Sequence, residues 1–136
     1  MKTKTVQTYE AKIYVGIYPS AEDGNSEPIF LPASYRDCER APHPRVMELC
    51  QKYADSEKVC VTVSPTTFVY PGGSEPGCVI GMINYPRFPA TKAKVRRQAA
   101  ELASILIKAL EQRRASIVFS DRTVMLENEE RIGEGK

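Results

Sequence analysis

The sequence has no tryptophan, a single histidine (His43, between Pro42 and Pro44) and only four cysteines. Cys38, Cys50, Cys60 and Cys78 lie far apart, with no CxxC pair, so the clustered ligands of a zinc site are missing and no metal is expected. Cys50, Cys60 and Cys78 fall in apolar stretches and read as small buried hydrophobes rather than a disulfide framework. No apolar run approaches the roughly 20 residues that span a bilayer. The N-terminal MKTKTVQTYEAK carries basic residues but no apolar stretch behind them, unlike a signal peptide. A soluble domain with no membrane partner is the expectation.

Catalytic motifs are absent too. There is no GxSxG, HExxH, P-loop or GxGxxG, His43 has no evident partner, and the carboxylates are scattered. Binding is the more economical use of these residues, so the chain is expected not to be an enzyme and to need no cofactor.

What is present fits one ordinary domain. The chain has 136 residues, 42% of them hydrophobic and 26% charged, and a net charge of +2. Residues 9–18 alternate apolar and polar with the period of a half-buried strand. Residues 19–44 hold six of the prolines and glycines and no sustained period, with Ile29-Phe30-Leu31 as one extended piece. Val46, Leu49, Cys50 and Tyr53 then fall at helical spacing, predicting a helix over 44–56 that starts at Pro44. Residues 58–85 read as a long hairpin turning at 71–77, with Pro65 implying a bulge or an edge. A second helix is capped by Thr91 and striped by Val95, Ala99, Leu102, Ala103, Leu106, Ala109 and Leu110. A short hairpin follows, 116–119 and 123–126, around Ser120-Asp121-Arg122. The expected fold is α+β: one mostly antiparallel sheet of about five strands with two helices, in the order β-α-β-β-α-β-β. Residues 1–127 form the single domain, and 128–136 a polar, disordered tail.

The charge is unevenly placed. Between Asn84 and Arg122 nine basic residues stand against Glu101, Glu111 and Asp121. Lys92, Lys94, Arg96 and Arg97 crowd the start of the second helix, where the macrodipole disfavours cations by about 0.3–1 kcal/mol each. An anion bound there would satisfy both; a solvated charged face is the alternative. Just before the helix, Asn84-Tyr85-Pro86-Arg87-Phe88-Pro89 offers two rings, a guanidinium and an amide on a proline-stiffened backbone. Such groups sandwich a nucleobase at about 1–3 kcal/mol per stack, and Asn reads base edges or ribose hydroxyls. Equally, Phe88 and Tyr85 could fold back over the sheet as a staple.

These pieces carry a resemblance. Cys60-Val61-Thr62-Val63, Glu75-Pro76-Gly77 and Ile83-Asn84-Tyr85-Pro86-Arg87-Phe88-Pro89 resemble the first-described family of phage Thoeris anti-defence proteins. Ala115-Ser116-Ile117-Val118 and the run from Asp121 to Leu126, DRTVML, look like that family's C-terminal hairpin. The resemblance spans about residues 8–127 and implies a sponge: dimers building to a hexamer in the cytoplasm of the infected bacterial host. Its partners would be the cyclic ADP-ribose isomers made by TIR enzymes, and, at a separate site, cyclic oligonucleotides of the CBASS pathway. Matched motifs make Asn84, Tyr85, Arg87, Phe88, Arg122 and Thr123 the ligand-binding residues, with Phe88 stacking adenine and Arg122 and Thr123 holding the pyrophosphate. Lys92, Lys94, Arg96 and Arg97 form the possible second anion site. Two other readings stay open: a nucleotide-processing enzyme, and a small nucleic-acid-binding protein attracted to phosphate backbones.

Overall fold

A computed structural model describes residues 1–19 and 43–129. The expectations for the proline-rich stretch, for Cys38 and for all but the first residues of the tail fall outside them. Among the described residues five strands and two helices follow in the expected order: β1 (Glu10–Gly16), α1 (Pro44–Glu57), β2 (Thr62–Tyr70), β3 (Gly73–Ile83), α2 (Lys92–Ala109), β4 (Arg114–Phe119) and β5 (Thr123–Glu127). The strands make one antiparallel sheet in the order β2-β3-β1-β4-β5. β1 is therefore central, flanked by β3 and β4, and its alternation buries Ala11, Ile13 and Val15 completely.

Both helices cover the face on which those residues point. α2 lays Val95, Ala99, Leu102, Ala103 and Leu106 against it, and α1 adds Val46, Leu49, Cys50 and Tyr53. The stripe on α2 is wider than the periodicity predicts, because Ile107 and Gln98 are buried, whereas Ala109 is exposed. The Tyr53 hydroxyl donates to Glu101 Oε2 at 2.7 Å, with the Gln98 carbonyl oxygen 3.2 Å away, and this fastens α1 to α2. No helix among the described residues is long and apolar enough to cross a membrane.

The hairpin differs from expectation in two details. Its turn is only Pro71-Gly72, with Gly72 at φ +86°, the arrangement a Pro-Gly type II turn demands. Glu75-Pro76-Gly77 belongs to β3, paired with Phe68, Thr67 and Thr66. Pro65 lies on the edge strand β2, where a missing N–H costs little. β2 starts only at Thr62, so Cys60 sits in a connecting segment and is exposed, correcting its reading as a buried hydrophobe. Cys50 and Cys78 are buried as expected, and burial pushes the Cys50 thiol up to about 11.

His43 turns out to cap α1. Its Nδ1 accepts from the Arg45 backbone N–H at 3.1 Å, and burial lowers its pKa below the ordinary 6.5. A protonated ring has no acceptor to give, so the folded state binds fewer protons than the unfolded one. The cap's contribution is fully present above about pH 6.5 and is lost as pH falls through the lowered folded value. Thermal melts between pH 7 and pH 5 should therefore show a steeper loss for the wild type than for His43→Asn, which keeps a non-titrating cap. Equal slopes would remove His43 as the cause.

Candidate functional site

The segment 84–90 joins β3 to α2 and is fixed at three points. The Asn84 backbone N–H donates to the Tyr9 carbonyl oxygen at 2.9 Å. Its side-chain Nδ2 donates to the Gln7 carbonyl oxygen at 2.9 Å, and its Oδ1 accepts from the Ala90 N–H at 2.8 Å. Asn84 thus spends its amide on holding the segment in shape. Between these anchors the chain makes a tight turn, closed by the Phe88 N–H donating to the Tyr85 carbonyl oxygen at 2.9 Å. Pro86 in second position suits such a turn.

The turn lifts the Phe88 ring outward and leaves Tyr85 half-buried. Phe88 is 55% exposed, with the Arg87 guanidinium 5.4 Å from its centroid, so it does not fold back as a staple. Beneath it lies a cleft of about 50 Å³ whose lining includes Cys60, Met82, Tyr85, Phe88, Lys94 and Gln98, with Lys58 at the end of α1. Tyr85 and Cys60 are hydrogen-bonded, and this bond, with burial second, pushes the Tyr85 hydroxyl's pKa up. Lys58 occupies the left-handed region at φ 58°, where helix ends usually place glycine.

A second grouping centres on Tyr9. Its hydroxyl donates to Asp121 Oδ1 at 2.9 Å, and its ring stacks on Phe119 with centroids 6.0 Å apart. Lys92 Nζ lies 5.7 Å and Arg96 Cζ 6.0 Å from the Tyr9 centroid. Arg122 reaches Asp121 Oδ2 at 3.7 Å. The Tyr9 hydroxyl, followed by the charge of Arg122, holds the Asp121 carboxyl below its ordinary range, while burial above all raises Tyr9 itself. Lys92, Arg96 and Arg122 thus surround one ring with one carboxylate among them.

The predicted residues therefore divide. Tyr85, Phe88 and Lys94 meet at the cleft, while Arg122, Lys92 and Arg96 meet at Tyr9. Thr123 is exposed at the start of β5, beside Arg122. Arg97 turns away, its Nη1 2.8 Å from Glu101 Oε1 one helical turn on. Thr91 caps α2 as expected, accepting from the Lys94 N–H at 3.1 Å, and no acid stands in the first turn to offset the cations. Sequence reasoning missed Tyr9, Lys58 and Gln98. Gln98 had a signal: it falls on the Val95–Ala99–Leu102 stripe as its only polar member. At the other end of β3, burial raises the pKa of the Glu75 carboxyl, beside Gly16 and Gln112.

No family model matches the sequence, and no curated protein matches it. Solved structures do. One, a phage SAM lyase in complex with S-methyl-5'-thioadenosine, superposes with a TM-score of 0.65 over 95% of this chain and 96% of that one, at 13% identity. A phage SAM lyase in the apo state superposes at 0.58 over 89% and 90%, at 12% identity. The fold is that of phage SAM lyase. It is a fold found in a phage protein, as the resemblance to Thoeris anti-defence proteins implies, but these matches do not single out that family. They also correct the expectation that the chain is no enzyme, since the same fold serves a lyase.

Proposed function

We propose that the chain is a phage protein that binds an adenosine-bearing small molecule in the cytoplasm of the infected bacterium, and that it cleaves SAM to methylthioadenosine. The observation that carries this reading is the fold shared over nearly the whole chain with the methylthioadenosine-bound lyase. The chemistry balances without a co-reactant. The bond between the sulphonium and the γ-carbon breaks with its electron pair going to sulphur, which leaves as the neutral thioether. The substrate's own carboxylate oxygen closes on that carbon, giving a lactone. Such a step asks the protein mainly to fold the substrate back on itself and exclude water. The exposed Phe88 ring supports the reading as a platform for adenine, at about 1–3 kcal/mol.

A second reading, capture of cyclic ADP-ribose isomers, is favoured by the three cations around Tyr9. A pyrophosphate suits them better than a sulphonium, itself a cation. A cyclic oligonucleotide at Lys92 and Arg96 belongs to the same reading. In either case a cleft of about 50 Å³ encloses only part of a nucleotide, against roughly 300–1,000 Å³ for a full ligand pocket. Assembly of copies, dimers building to a hexamer, would supply the remaining wall.

The protein, incubated with SAM and analysed by mass spectrometry, should release methylthioadenosine in molar excess over itself. Unchanged SAM, with a cyclic ADP-ribose isomer retained by the protein, would move the assignment to the second reading. If neither nucleotide is bound or changed, both readings fall. Light scattering that reports a monomer at micromolar concentration would count against assembly.

A further inference from the structure

One polar side chain is set into the otherwise apolar inner wall of the cleft. Gln98 is 4% exposed, lines the cleft beside Met82 and Val95, and its Nε2 has no hydrogen-bond partner. Leaving a buried amide donor unpaired destabilises the free protein. Fastening α1 does not explain it, because Tyr53 approaches the backbone carbonyl of Gln98 and leaves the side chain out. A leucine would complete the apolar stripe of α2. An unmet donor in a cleft walled by an exposed ring instead marks a place where something else supplies the acceptor.

We propose that this cleft is an adenine subsite and that the Gln98 amide reads the base edge. The inference rests on the adenosine-bearing ligand proposed above. A glutamine amide presents a donor and an acceptor side by side, and adenine matches them on its N7 edge, where N7 accepts and the 6-amino group donates. Hypoxanthine has a carbonyl in place of that amino group, which sets oxygen against the Gln98 Oε1. About 50 Å³ admits the edge of a ring, with Phe88 over the remainder and Lys58 and Lys94 where ribose or phosphate oxygens emerge.

Titration calorimetry with S-methyl-5'-thioadenosine and its hypoxanthine counterpart tests this. The wild type should prefer the adenine compound by about 10- to 100-fold. Gln98→Leu should lose that preference while melting no lower than the wild type. Should the variant not fold, the side-chain amide resonance of Gln98 in the ¹⁵N-labelled wild type decides, and it should move on adding S-methyl-5'-thioadenosine. Equal affinity for both compounds in the wild type, a preference that persists in Gln98→Leu, or an unmoved Gln98 resonance at saturation overturns the subsite and leaves the adenosine reading standing. Binding of neither compound removes both.

Discussion

Gly77→Ala should lower stability by about 3 kcal/mol, roughly a 10 °C fall in melting temperature for a domain of this size. Gly77 is buried in β3 opposite Gly16, and a Cβ there would stand 2.7 Å from the Val15 carbonyl oxygen and against the Phe68 ring. The ring can swing aside. The carbonyl has little freedom, because Val15 and Gly16 are paired with β3 and the residues just before them with β4, so the added methyl must prise β1 and β3 apart. A thermal melt within a degree or two of the wild type would show that this close approach is not constrained as described.

Asn84→Ala is expected to cost about 1–2 kcal/mol, since it deletes two hydrogen bonds and leaves the part-buried Ala90 N–H without its acceptor, while water can reach the exposed Gln7 carbonyl. Asn84→Asp keeps the acceptor for Ala90 but sets a second carboxylate oxygen against the Gln7 carbonyl oxygen, so it should not restore wild-type stability. The loss should also reach function. With the segment 84–90 loosened, Phe88 is no longer held over the cleft, and affinity for a nucleoside ligand should fall even in variant molecules that remain folded. Denaturant melts and ligand titration on the same samples would check both, and an unaltered melt would mean that the other anchors suffice.

Most of the architecture could be read from periodicity, because β1 and both helices have one face in the core and one in water. The difficulties came where a residue's partner is remote in sequence. Asn84 looked like a reader of bases, and only the approach of residues 7 and 9 shows its amide engaged. Four cations at the start of α2 looked like one cluster. Helical geometry splits them, sending Arg97 to Glu101, Lys94 to the cleft, and Lys92 and Arg96 to Tyr9. The lack of catalytic motifs misled for a different reason, since motifs are local patterns in sequence, whereas the likeness to a lyase lies in the fold, at 13% identity.

The central place of β1 has a consequence for biosynthesis. It leaves the ribosome before both its neighbours, β3 and β4, which are encoded far downstream. Ile13 and Val15 must wait, uncovered, while the chain that will shelter them is still being made. The β2–β3 hairpin needs no such delay, since its strands are adjacent and a hairpin closes in microseconds. A hairpin closed that early would offer β1 the β3 edge it pairs with, while β4 is still to come. A translational pause before β4 would prolong the exposed interval, making the amount of protein recovered sensitive to synthesis rate in a way its final stability would not reveal.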